Sequence, residues 1–519
     1  MKRLIYLTIL LLSSFSVFAQ PQGFATGLDL DDAAYQNMDE LQADGSKANL
    51  PAEASLYDYA PIPRNQGRAQ SCVGWAVGYS ALTIEKAIQY QLKDREQITQ
   101  YAFSALYVYN QIKEGDCMRN GSRITDALNF LQESGNVMAG QFDLNVEDCG
   151  RQVTPELQKY AQRFRITDHL KLFPVDEDPR QKVFKVKYAL AKQKPVIIGM
   201  KIRKNFFNLN SKAKFWWPEI GDKTSAGGHA MTVIAYDDRR AAFLLMNSWG
   251  RKWGIGGFMW VKYDVFATFC KYAFILQVED GLDGFWDAAY EPETNAALPA
   301  QAVNERPANA ATPQRQPARQ TIQSLRKMAG SFNFKYNPNL NQYSSYFDNA
   351  SVRSQGFYYQ LQRKDWKVGQ QFQLEVDNLE RNAYVYVLSV NNDGQVYVHW
   401  PRKQALNPRF QNQNASALIL EDQSKIMVPG ANRALKIASP GTDHLVILFS
   451  KKPLKGLLNL MSQLEGQQAH LPEKLLQILQ PFMVPLADIE YANDRVAFSV
   501  NTRSKGMIVP LIIEVNSVQ

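Results

Sequence analysis

Cys72 stands where a polar loop, Asn65-Gln66-Gly67-Arg68-Ala69-Gln70-Ser71, runs into a helical pattern. Trp75, Tyr79, Leu82 and Ile88 recur at roughly helical spacing, and neither Gly nor Pro interrupts residues 79–90. Ser71 is placed to cap this helix, which puts Cys72 in its first turn. There the unpaired N–H groups and the positive end of the helix dipole favour a thiolate over a thiol. A thiolate attacks carbonyl carbon. A small core cysteine on an apolar helix has the same signature, so this stretch alone leaves both readings open.

Two later stretches decide between them: Ala226-Gly227-Gly228-His229-Ala230-Met231-Thr232-Val233 and Met246-Asn247-Ser248-Trp249-Gly250. In this order the three motifs resemble the papain-like cysteine peptidases over roughly residues 50–280. The resemblance implies an α+β fold of two lobes, one helical and one β, with the site in the cleft between them. It also implies roles. Cys72 is the nucleophile, and His229 holds the proton beside it and later delivers it to the leaving amine. Asn247 accepts from the other ring nitrogen and fixes the tautomer. The Gln66 side-chain amide, with the backbone N–H of Cys72, donates to the oxyanion. Gly228 and Trp249 are expected to border the substrate, Trp249 also screening the Asn–His bond from water.

Two departures stand out. Val73 follows the nucleophile where the family has an aromatic residue. Arg68-Ala69-Gln70 replaces the usual Cys-Gly pair before Ser71, which removes a half-cystine and its bracing of the loop. Neither takes away a reacting group. The five histidines (His169, His229, His399, His444, His470) are dispersed, so neither metal nor cofactor is expected.

The elements that must position these groups follow from pattern. Residues 102–112, 123–133, 154–166 and 178–193 read as helices, then the period changes. Residues 195–200, 229–236, 242–246 and 258–261 read as strands, with Gly254, Gly256 and Gly257 punctuating a hairpin. The aromatic run Phe215-Trp216-Trp217-Pro218 suits a substrate pocket or packing between the lobes equally.

The ends of the chain set its context. Lys2 and Arg3 followed by an apolar run to Leu12 and by Val17-Phe18-Ala19 read as a signal peptide over 1–19, so the mature protein is expected to be exported, without a transmembrane segment. Export permits disulfides, and Cys117 and Cys149, both in polar loops, are expected to pair, with Cys270 in the core. Residues 20–50 are acidic and weakly patterned, a short pro-segment or a mobile arm. The peptidase domain is assigned to 51–285.

Residues 286–325, rich in Pro, Ala and Gln, read as a disordered linker. Residues 326–519 carry alternating strands and an Asn392-Asp393-Gly394 turn, with helices at 454–465 and 472–480, which predicts a β-sandwich or barrel. Residues 350–452 resemble a bacterial β domain of unknown function, for which a binding partner is expected but not identified. The net charge of +8 is spread along the chain, and no nucleic-acid motif accompanies it. The expected activity is peptide-bond hydrolysis on a peptide or protein substrate. The alternative is a catalytically silent peptide-binding or envelope-interaction protein on the same fold.

Overall fold

The computed structural model describes residues 24–42, 49–143, 145, 148–219, 225–279, 326–340, 346–411, 413–420, 426–430 and 432–519. The signal peptide, the linker and the domain limits at 285 and 325 lie outside the described residues.

A helix over 72–89 is the axis of the first lobe. Residues 71–87 are all buried, so the helix is enclosed on every side, not striped. Two glycines set how near its neighbour comes. A Cβ on Gly74 would lie 2.2 Å from the carbonyl oxygen of Ala105, and one on Gly78 2.6 Å from that of Ser104. The helix Ala105–Ile112 therefore crosses at backbone contact. Between Trp75 and Leu82 the axis widens to π-type hydrogen bonding, a departure frequent beside functional sites.

A disulfide joins Cys117 to Cys149, with Cα atoms 6.1 Å apart. Its loop reaches the nucleophile: the Gln70 amide donates to the Cys117 carbonyl at 2.8 Å, and the Tyr109 hydroxyl donates to Asn120 O at 2.7 Å. These contacts brace the loop that lacks the half-cystine before Ser71.

The second lobe is one sheet. Its strands are β1 (Glu53–Ser55), β2 (Ile166–Lys171), β3 (Val196–Lys201), β4 (Phe215–Trp216), β5 (Gly228–Asp237), β6 (Ala242–Met246), β7 (Phe258–Lys262) and β8 (Cys270–Val278). Their order is β2-β8-β3-β5-β6-β7-β4, with β1 added on β5. Apart from its first residue, Gly228, β5 is buried throughout, as is β6, which is why both read as continuous apolar runs. Trp216 is buried against Phe206 and Phe269, whereas Trp217 is 54% exposed.

The C-terminal region is a sandwich. In one sheet Arg326–Tyr336 runs between Gln371–Leu379 and Val496–Thr502; in the other Gly441–Ser450 runs between Ala383–Val390 and Ile508–Val518. Val385 and Val387 point into the core with Phe332, Leu374 and Ile447. Tyr386, Leu388 and Val390, from the opposite face of the same strand, pack with Leu457, Leu460, Leu471 and Leu475 of the helices Leu457–Leu464 and Leu471–Leu479.

Candidate active site

The strand register brings the separated motifs together. Thr232 pairs with Met246 across β5 and β6, so His229 near the start of one strand meets Asn247 just past the end of the other. His229 Nε2 donates to Asn247 Oδ1 at 2.7 Å. That bond leaves Nδ1 without a hydrogen-bond partner among the described residues, so no hydrogen bond joins it to the Cys72 thiol. Cys72 Sγ lies against the next residue of the strand, accepting from the Ala230 amide at 3.4 Å. Trp249 stacks on the His229 ring at 4.5 Å between centroids, covering the Asn–His bond.

Gln66 is tied to the same corner. Its backbone N–H donates to Ser248 O at 2.8 Å, and Ser248 Oγ donates to its side-chain carbonyl at 2.5 Å. The Ser248 amide in turn donates to Asn247 Oδ1 at 2.8 Å. Ser248 thus links the glutamine and the asparagine. It sits inside the quoted Asn-Ser-Trp-Gly run, but its type alone gave no reason to single it out.

The Ser71 side chain does not cap the helix; its hydroxyl is buried without a hydrogen-bond partner among the described residues. The charge state differs from expectation too. Cys72, His229 and Gln66 are all fully buried. Burial pushes the Cys72 thiol up to about 12. Burial also pushes His229 down to about 4, against the smaller opposing effect of its bond to Asn247. A dipole argument for a thiolate presumes water nearby, and here water is excluded.

The N-terminal segment contributes to that burial, since Leu28 packs in the same cluster as Cys72. Phe24 stacks on Trp249 at 4.9 Å, and Trp249 Nε1 donates to Ala25 O at 2.9 Å. Gln66 Nε2 donates to Thr26 O at 3.4 Å and to Ala69 O at 2.8 Å. The Ser122 amide donates to Gly27 O at 2.9 Å, Leu28 N to Gly228 O at 3.2 Å and Asp29 N to Ser122 O at 3.0 Å. This strap runs through the cleft past the reacting groups, and Gly228 and Trp249 both hold it. The short helix α1 (Asp32–Gln36) follows, capped by Asp31 and anchored by the Tyr35 hydroxyl on Phe173 O at 2.6 Å.

A thiol, an imidazole oriented by an asparagine, and a glutamine amide, set across the junction of two lobes, define the cysteine-peptidase class. Residues 58–273 match the model of the papain family cysteine protease, and this segment is a papain-family domain. An uncharacterized peptidase C1-like protein of Acanthamoeba polyphaga mimivirus is 21% identical over 215 residues, which are 39% of this chain and 65% of the relative's own length, just short of two thirds. Xylellain, a cysteine protease from Xylella fastidiosa, is 20% identical over 50% of this chain and 97% of its own, with a TM-score of 0.42. Procathepsin L 3 of Tenebrio molitor larval midgut is 15% identical over 47% of this chain and 77% of its own, with a TM-score of 0.36.

Proposed function

We propose that this protein is an exported cysteine endopeptidase that is latent as synthesised, its cleft filled by its own residues 24–29. The observation that carries the activity is the His229–Asn247 bond of 2.7 Å, with Cys72 Sγ at the adjoining amide. With the strap displaced, water re-enters and the thiol and imidazole can exchange the proton that burial now keeps on sulfur. Cys72 then attacks the peptide carbonyl. Gln66 Nε2 and the Cys72 amide hold the oxyanion, His229 protonates the leaving amine, and water repeats the sequence on the acyl-enzyme. The Cys117–Cys149 disulfide supports an oxidising compartment.

A strap seated as a peptide, bonded to Gln66 and Gly228, also favours the second reading, a fold that binds peptides without cutting them. Turnover of a fluorogenic peptide by the full chain carrying Leu28→Asp separates the two. Turnover lost on adding Cys72→Ala supports the peptidase; binding of the peptide without turnover supports the alternative.

A further inference from the structure

The far end of the strap is held by the C-terminal domain. Beyond α1, residues 39–41 form a short extended segment between two partners. Toward the peptidase lobe, Leu41 N donates to Lys171 O at 2.9 Å and Lys171 N to Asp39 O at 2.9 Å. This pairing is with β2, the edge of the peptidase sheet. Toward the C-terminal domain, Glu40 N donates to Asn414 O at 2.7 Å and Ser416 N to Glu40 O at 2.8 Å. Glu40 is therefore bridged on both sides, to Lys171 and to Ala415.

The side chains divide in the same way. Asp39 pairs with Lys403 of the C-terminal domain. Glu40 pairs with Lys185 of the peptidase lobe at 2.9 Å, which also holds Glu177 at 2.6 Å. An edge strand is a row of unpaired backbone groups that an extended chain can satisfy. The strap satisfies the β2 edge with one side of its backbone and uses the other side to recruit a second domain.

We infer that the C-terminal domain is the clamp of the latent state: Lys403 and residues 414–416 form a docking surface whose partner is the strap's acidic, extended segment at Asp39 and Glu40. The inference rests on the latency reading above and adds a regulatory role for a domain to which sequence assigned only an unidentified partner. Residues 29–38 connect the clamped segment to the occluding one, with Asp32 held by Lys271 at 2.7 Å and Tyr35 fully buried along the way. Loosening the clamp removes one of the anchors that keep Leu28 on Gly228, so the open population rises.

The test uses the full chain and peptide-resolved mass spectrometry to follow alkylation of Cys72 by iodoacetamide. Lys403→Glu and Asp39→Lys should each raise the rate, by roughly tenfold for loss of the pair plus a like-charge repulsion. The double swap should bring it back to within about twofold of wild type. Single reversals that leave the rate unchanged while Leu28→Asp raises it would overturn the clamp and leave latency standing. A rate that stays raised in the swap would overturn the Asp39–Lys403 pairing. No acceleration by Leu28→Asp would remove the latency reading and the clamp with it.

Discussion

Leu28 N donates to the carbonyl of Gly228, the residue immediately before the imidazole His229, at 3.2 Å. The strap is therefore fastened one residue from the His229 ring, and Leu28, only 6% exposed, is buried with Ala230 and Tyr272. Burial of one leucine is worth about 1.5–3 kcal/mol, so the strap is held by several modest contacts, none of them dominant. That is what the proposed latency requires.

Gly27 is the tightest point of the strap. Its φ is +103°, and a Cβ there would lie 2.1 Å from Gln70 O. Gly27→Ala should eject the strap locally, at a cost of roughly 1–3 kcal/mol to the closed state. Alkylation of Cys72 by a small thiol reagent should rise by about tenfold or more, with little change in far-ultraviolet circular dichroism. An unchanged rate would mean that residues 24–29 do not control access.

Acid should favour opening. Burial holds His229 at about 4, against 6.5 for the solvated ring. In a Cys72→Ala variant, whose ring has no thiol to take a proton from, the open form takes up a proton between those values that the closed form refuses, so closure is fully stable above about pH 6.5 and weakens as pH falls toward 4. Hydrogen exchange at the Leu28 amide of this variant, corrected for its intrinsic rate, should quicken by about tenfold from pH 6.5 to 5. Exchange that slows or stays constant would show that His229 is not exposed when the strap opens.

The two halves of the site should separate kinetically. In a strap-released background, Gln66→Ala should lower kcat by about 10²–10³ through loss of an oxyanion donor. Alkylation of Cys72 forms no oxyanion and should hardly change. Asn247→Ala should impair both, because it frees the ring that His229 presents to sulfur. Equal losses in both assays for Gln66→Ala would assign that residue to the shape of the loop instead.

The disulfide should matter for stability. It closes a loop of 32 residues, for which chain entropy suggests about 3–4 kcal/mol. Replacing both Cys117 and Cys149 by Ser should lower the Tm by roughly 8–15 °C in scanning calorimetry. Because Gln70 N bonds Cys117 O, the nucleophile loop should lose protection first in hydrogen exchange. A Tm shift under about 2 °C would show that the bridge is not stabilising the lobe.

The proposed reacting groups could be picked out in the sequence because their chemistry depends on residue type. Cys72, His229, Asn247 and Gln66 are each the residue the proposed role demands, in stretches that pattern places on a helix start, a strand start and a strand end. The strap was not legible, since its role depends on backbone. Leu28 and Gly27 act through amide, carbonyl and lack of bulk, and Leu28, Tyr35 and Leu41 follow no helical or strand period. The upward shift of the Cys72 thiol was hidden for a related reason: the dipole argument is local, whereas the burial comes from residues far off in the chain, Leu28, Phe103, Ala230 and Tyr272 among them. Ser71 had the right type for a cap, but its φ of −100° and ψ of 14° turn it away from the extended geometry that capping uses.

The most direct test is intact-mass labelling with a thiol-directed epoxysuccinyl peptide, run on wild type, Gly27→Ala, and Gly27→Ala combined with Cys72→Ala. A competent but occluded nucleophile gives slow addition to wild type, fast addition of a single label at Cys72 in Gly27→Ala, and none in the double variant. Folded Gly27→Ala protein that takes no label at Cys72 would contradict the account, leaving a papain-like fold that keeps its residues without their chemistry.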